Sequence, residues 1–316
     1  MNNKVVTITL NPALDLTGSL DKLHQGSVSL VNRSNFHAAG KGVNVAKVLS
    51  DLGAEVSVTG FLGADNQELF CQLFEQINAN DRFVRVPGAT RINVKLVEQD
   101  GTVSDINFPG VQVNTQAIQA FEQALDELCE DHQYFVFAGS LPLGITPEQC
   151  AKWVDMLQSR GKNVLFDSSR AALKAGLSAL PWLIKPNDEE LSDLVGQQIE
   201  STEEIVQVAE QIAKTGITNV VVSRGADGVM WLQDNQWLCA KPPKVDVVST
   251  VGAGDTLVAG MCWGHMKNMD KVEILKFATA LAAMAVSQVG VGVKDANQLD
   301  LLKQHIEISP ISSLSK

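Results

Sequence analysis

Ser249-Thr250-Val251-Gly252-Ala253-Gly254-Asp255-Thr256 runs directly into Leu257, Val258, Met261, Cys262 and Met266, apolar positions spaced for a helix. Small residues therefore stand at a helix N-terminus, where unpaired N–H groups and the helix dipole favour an anion. Glycines there let a phosphate lie close to the backbone. A carboxylate at the same place repels phosphate, so Asp255 makes chemical sense as the acceptor of a proton from a nucleophile poised beside the phosphate. The alternative is a glycine-rich turn capped by Asp255. The chain has no G-x-x-x-x-G-K-[ST] loop, no H-R-D or D-F-G set, and no G-x-G-x-x-G after its first strand. Those absences exclude P-loop enzymes, protein kinases and the common dinucleotide-binding domain.

Upstream of this segment, strands and helices alternate. Val5–Leu10, Glu55–Gly60, Tyr134–Ala138, Val164–Asp167, Trp182–Lys185 and Val220–Ser223 read as strands. Gly42–Leu52, Gln67–Ile77, Gln116–Leu128, Pro147–Ser159 and Thr202–Lys214 read as helices. The alternation predicts an α/β domain spanning 1–316, a central mostly parallel sheet flanked by helices. Two strand pairs interrupt it, Asp15–Leu20 with Ser27–His37 and Arg91–Glu98 with Thr102–Phe108. These insertions, at about 15–37 and 91–108, are expected to form a small antiparallel β lid over the strand C-terminal ends, where open α/β sheets bind ligands. A lone small sheet leaves a face and edges uncovered, so a homodimer through the lid is expected.

The 316 residues are 45% apolar and 19% charged, a globular profile, and the net charge of −11 argues against broad nucleic-acid binding. Five cysteines, odd in number and scattered, show neither zinc spacing nor a disulfide framework; reduced thiols in a cytoplasmic protein are expected. The N-terminal MNNKVVTITLNPALD has no signal-peptide hydrophobic region. Phe277–Val293 is apolar but contains Ser287 and Gln288 and is short for a membrane span; it reads as a buried helix and a glycine-rich turn, so no membrane association is expected.

Five blocks, in one order from Asn11 to about Val293, resemble the ribokinase / phosphofructokinase-B (pfkB) carbohydrate kinases. They are Ala38-Ala39-Gly40-Lys41-Gly42-Val43-Asn44-Val45-Ala46, Gly139-Ser140-Leu141-Pro142, Lys185-Pro186-Asn187-Asp188-Glu189-Glu190, Ser223-Arg224-Gly225-Ala226-Asp227-Gly228 and Thr250–Thr256. The resemblance implies a ribokinase-like fold and transfer of phosphoryl from ATP, with Mg2+, to a sugar hydroxyl. By the same resemblance Asp255 is the general base, and the amides of Gly252, Ala253 and Gly254 hold the migrating phosphoryl. Lys185, Asn187, Ser223, Gly225, Ala226 and Gly228, with Gly252 and Gly254, would hold the nucleotide, and Glu190 would orient magnesium-bound water. Read without the family, Asn187 and Glu190 also fit a capping box, and Ser223–Gly228 a tight turn between strands. Ser249 stands where potassium-binding members carry an aspartate six residues before the base, so the resemblance implies no ribokinase-type potassium site, while backbone carbonyls could still form a weaker one.

The sugar end falls on Asp15, Gly40, Lys41, Asn44 and Ser140. Asp15 can accept from two hydroxyls, and Asn44 offers both a donor and an acceptor. In Arg91-Ile92-Asn93-Val94-Lys95-Leu96, alternation places Arg91, Asn93 and Lys95 on one strand face. Two cations flanking an amide suit a phosphate, which a guanidinium grips in a forked fashion; facing outward they would only be solvated. Thr90–Lys95 and Asn11–Asp15 resemble the family's phosphosugar branch. The implied acceptor is fructose 1-phosphate, giving fructose 1,6-bisphosphate, with tagatose 6-phosphate and fructose 6-phosphate as alternatives. A neutral-sugar or nucleoside kinase of the same fold, and a non-catalytic sugar-phosphate sensor, are the rival readings; a sensor has no need of the Asp255 base.

Overall fold

The first strand, β1 (Lys4–Thr9), is buried from Val5 onward, as a strand covered on both faces must be. In a computed structural model that describes residues 3–310, it lies inside the main sheet. After it come β2 (Ala13–Leu20), β3 (Arg33–Ala39), α1 (Lys41–Asp51), β4 (Glu55–Gly63), α2 (Glu68–Gln76), β5 (Asn80–Asp81), β6 (Val84–Val86), β7 (Ile92–Glu98) and β8 (Val103–Asn107). The middle of the chain supplies α3 (Thr115–Leu128), β9 (Tyr134–Ala138), α4 (Pro147–Ser159), β10 (Asn163–Asp167), α5 (Arg170–Leu177), β11 (Leu183–Ile184), α6 (Asp188–Val195), α7 (Thr202–Lys214) and β12 (Asn219–Ser223). The last part supplies β13 (Val229–Gln233), β14 (Gln236–Lys241), α8 (Ala253–Met266), α9 (Lys271–Val286), α10 (Ala296–Gln304) and β15 (Glu307–Pro310).

The main sheet runs β15-β14-β13-β12-β11-β10-β9-β1-β4-β5, with β6 also on β4. Pairings from β12 to β5 are parallel, and the β13–β15 edge is antiparallel. Alternate residues feed two apolar layers. Val5, Leu165 and Val221 pack under α1, α8 and α9, while Val6, Phe166 and Val222 pack under α3, α4 and α7. Capping side chains start several helices: Asn114 accepts from the Ala117 amide at α3, Thr146 from the Gln149 amide at α4. The stretch Phe277–Val293 is the second half of α9 and the turn after it, with Phe277, Leu281 and Met284 buried. No helix among the described residues is long and apolar enough to cross a membrane.

The lid has the order β3-β2-β7-β8. Its outer pairs are antiparallel, and the pair that joins them, β2 with β7, is parallel. The strand expected over Ser27–His37 starts only at Arg33; before it, Val28 and Leu30 lie in an exposed loop, so alternation was read too far into a segment without a pairing partner. Register sorts the lid into two faces. Leu16, Phe36, Val94 and Ile106 share one, and Asp15, His37, Asn93 and Asn107 share the other. The apolar face is uncovered: Phe36 is 42% exposed and Ile106 49%.

Candidate active site

Parallel strands deliver their C-terminal ends to one edge, and the polar residues of interest follow them there. Asn11 comes after β1, Ser140 after β9, Asp167 closes β10, Lys185 follows β11 and Ser223 ends β12. The helix α8, buried along most of its length, begins at the same edge and carries Asp255 in its first turn. Gly252 caps it in the left-handed region at φ 80°, and a Cβ there would meet Val291 Cγ2 at 2.3 Å, so only glycine closes this turn. A Cβ on Gly254 would stand 3.4 Å from Lys185 Nζ, which places that ammonium against the start of α8 beside Ala253 and Asp255.

Asp255 is buried, and Asn44 Nδ2 donates to its Oδ2 at 2.7 Å. Burial, and then the neighbouring charge of Asp167, push the Asp255 carboxyl up to about 6; the Asn44 bond, Lys41 and Lys185 oppose that rise. Asp167, 1% exposed, takes Lys41 Nζ at 3.2 Å and Lys185 Nζ at 3.5 Å on the same oxygen, Oδ1. Its Oδ2 is buried without a partner. Burial alone would lower Lys41, yet Asp167, Asp255 and Glu190 outweigh it and hold the ammonium well above its usual range. The result is a partly buried group of two ammoniums and three carboxylates, with Asp167 and Asp255 at its buried centre, in which Asp255 can take a proton near neutral pH.

Among the residues expected at the nucleotide, Asn187 and Glu190 form the capping box of α6: Glu190 N donates to Asn187 Oδ1 at 2.7 Å, and Asn187 N to Glu190 Oε2 at 3.1 Å. One carboxylate oxygen is thus engaged in the cap. Asn187 bridges to Ser223, whose amide donates to the Pro186 carbonyl at 3.1 Å, so two segments distant in sequence form one ledge. Gly225, Ala226 and Gly228 lie in the turn that takes β12 antiparallel into β13. The capping box and the tight turn are thus both present in these residues.

On the sugar side, a cavity of about 660 Å³ lies under the polar face of the lid, with Asp15, Asn44, Lys95, Ser249 and Val291 among its walls. Gly40 is the N-cap of α1, between the cavity-lining Ala39 and Val43 in sequence, and is not itself among the walls. Asn93 Nδ2 donates to Asp15 Oδ1 at 3.2 Å. Burial raises the Asp15 carboxyl and lowers the His37 imidazole beside it. Lys95 pairs with Asp105 at 3.4 Å. Arg91 sits just before β7 and turns inward: it donates to the Asn11 carbonyl at 3.0 Å and reaches Ser140 Oγ at 3.4 Å, and it is not among the cavity walls. Asn11 Nδ2 donates to the same Ser140 Oγ at 3.1 Å. The geometry thus gathers Asp15, Asn93 and Lys95 on one face, with Arg91 and Ser140 as a neighbouring pair. Sequence reasoning missed Asp167, His37 and Asn11. Asp167 carried a readable signal, a carboxylate at the C-terminal end of a buried strand; His37 was hidden in an overlong strand.

Residues 2–297 match the pfkB family carbohydrate kinase. The 1-phosphofructokinase of Vibrio cholerae is 65% identical over 311 residues, covering 98% of each chain. That of Escherichia coli K12 is 45% identical over 313 residues, covering 99% of this chain and 100% of the relative. Among solved structures, phosphofructokinase-2 from Escherichia coli in complex with fructose-6-phosphate superposes with a TM-score of 0.86 at 25% identity, covering 95% of this chain and 98% of that one. A possible 1-phosphofructokinase from Thermotoga maritima gives a TM-score of 0.86 at 25% identity, covering 98% and 100%. The ribokinase-like architecture, the ordered blocks and these relatives agree: the chain belongs to the pfkB family of carbohydrate kinases and is a phosphotransferase.

Proposed function

We propose that the chain transfers the terminal phosphoryl of ATP to the free primary hydroxyl of fructose 1-phosphate, giving fructose 1,6-bisphosphate and ADP. The observation that carries this reading is the buried Asp255 carboxylate, poised by Asn44 beside the amides that open α8 and the Lys185 ammonium. Asp255 takes the hydroxyl proton as the sugar oxygen bonds to the terminal phosphorus and the bond to the ADP oxygen breaks. Lys185, Gly252, Ala253 and Gly254 hold the charge on the phosphoryl during that exchange. Asp15, Asn44, Asn93 and the Gly40 and Lys41 backbone hold the sugar, while Arg91, Lys95 and Ser140 face its phosphate. The names of the relatives at 65% and 45% identity support fructose 1-phosphate as the acceptor.

Asn187, Ser223, Gly225, Ala226 and Gly228 form the ledge assigned to ATP. Magnesium fits here through water: no group of three or more candidate ligands exists among the described residues, but the unpartnered Asp167 Oδ2 and Glu190 can orient the water shell of an ion held by the phosphates. When bound, the ion supplies charge neutralisation on those phosphates. The uncovered apolar face of the lid supports a homodimer, and five unpaired cysteines suit the cytoplasm. A coupled assay with ATP against fructose 1-phosphate, fructose 6-phosphate and tagatose 6-phosphate tests the assignment. A higher kcat/KM for either 6-phosphate, or for ribose or adenosine, overturns it.

A further inference from the structure

Arg170, the first residue of α5, sits in the left-handed region at φ 53°. That conformation is easy for glycine and unfavourable for a long side chain. Of the other non-glycine residues with positive φ, Asn78, Asp234, Asn235 and Asn268 are types that tolerate it. Leu180 is the remaining one, and its side chain packs beside Gly216. The Arg170 side chain has no such anchor: it is exposed and, among the described residues, makes no ion pair or hydrogen bond. Backbone strain on an unanchored arginine points to a role outside the packing of the fold.

Its position says what. Arg170 follows Asp167 by three residues at the end of β10, on the strand edge where the site lies. It lines a second cavity, of about 260 Å³, whose opposite wall is α6 with Glu190 and Asp193; Lys174, one turn along α5, stands beside it. Glu190 belongs both to this cavity and to the field around Lys41. The cavity therefore opens next to the place assigned to the ATP phosphates. Charge makes the same demand. Lys41 and Lys185 give +2, and Asp167, Glu190 and Asp255 give −3, so the group is −1 before a triphosphate arrives. A polyanion there calls for a further cation, and a guanidinium matches phosphate oxygens in a forked pair.

We infer that Arg170 is a phosphate-binding residue of the nucleotide site, swinging its guanidinium across the Glu190 side onto the terminal phosphates of ATP. The inference rests on the placement of ATP proposed above, and its test is arranged to separate the two. Arg170→Gly removes the guanidinium and relieves the backbone. Its kcat/KM for ATP is expected to fall about tenfold to a hundredfold, with KM for the phosphosugar within about twofold of wild type. Its thermal midpoint is expected to stay or to rise by about 1–3 °C. Low-millimolar guanidinium should restore part of the rate, and Arg170→Lys should fall between the two. Calorimetric titration with MgATP alone, without sugar, should show about tenfold weaker binding by the glycine variant, a result independent of which sugar is the acceptor. Wild-type kinetics and wild-type ATP affinity in Arg170→Gly overturn the inference. So does a loss that comes with a lowered thermal midpoint and no guanidinium rescue, which would make Arg170 structural.

Discussion

Asn44, in the first turn of α1, holds a carboxylate oxygen of Asp255, in the first turn of α8, at 2.7 Å across 211 residues of sequence. Two helix starts thus meet here, one bringing the Asn44 amide and the other the Asp255 carboxylate proposed as the base. Asp255→Asn can keep that hydrogen bond through its amide oxygen while losing the ability to take a proton. Its turnover is expected to fall about a hundred- to ten-thousandfold in the coupled assay. Its stability should move the other way. A carboxyl raised to about 6 in the fold favours folding below its ordinary value of 3.8, and that contribution is lost as pH rises through 6. The uncharged variant should therefore melt higher than wild type at pH 7.5. Full turnover in Asp255→Asn would remove the base from its role.

The same carboxyl is expected to set the acid limb of the pH–rate profile. kcat/KM should decline below about pH 6, as Asp255 becomes protonated. The Asn44 bond favours the ionised form, so Asn44→Ala should move the limb to higher pH. A limb that stays put, or moves down, would show that another group governs it.

Arg91 reads as the phosphate residue of the sugar site, yet it also grips the Asn11 carbonyl and Ser140. Arg91→Ala is expected to raise KM for the phosphosugar about tenfold or more, and KM for ATP by about twofold or less. Equal effects on both substrates would assign it a purely architectural task at the Asn11–Pro12 corner.

His265, on the last turn of α8, lies between the rings of Trp182 and Trp231, at 4.6 and 5.5 Å, and its Nε2 has no partner. Burial pushes the imidazole down to about 4, so it is neutral in the fold, whereas the unfolded chain takes up a proton near 6.5. Stability should be unaffected above about pH 6.5 and should fall between there and pH 4, by about 2–3 kcal/mol in all. His265→Phe should flatten that slope in urea titrations run at several pH values. An unchanged slope would mean that other groups carry the acid sensitivity.

The uncovered lid face predicts self-association. Ile106→Asp places a charge among Phe36, Val94 and Leu16, and should convert a dimer to monomers in sedimentation velocity runs. A wild-type chain that sediments as a monomer at micromolar concentration would end the dimer reading.

Much of this was legible in the residues. The central strands announced themselves because parallel strands buried on both faces are near-continuous runs of Val, Ile and Phe, and Asp255 was marked by the small residues before it. Period-2 alternation grouped Arg91, Asn93 and Lys95 on one face; Asn93 and Lys95 lie on β7, whereas Arg91 stands just before the strand and bonds to Asn11 and Ser140 instead. What alternation could not give was pairing. It showed two lid insertions but not that β2 would lie parallel to β7, because that choice is made between segments 78 residues apart. Nor did it show the antiparallel β13–β15 edge, whose short strands carry little periodic signal. Asp167 escaped for a different reason: a lone acidic residue at a strand end has no motif, and its importance comes only from the two lysines that converge on it from α1 and from the segment after β11.

That parallel join also dictates an order of events. A hairpin can zip from its turn, but β2 and β7 have no turn in common, and their pairing closes a loop of 78 residues, so it is expected to form after the local pairs. The lid is therefore expected to form late, and its amide protons are expected to exchange sooner than those of the central strands, which hydrogen exchange would check. A newly made chain with a finished core and an unfinished cover would be folded by most optical measures and yet still unable to retain its sugar.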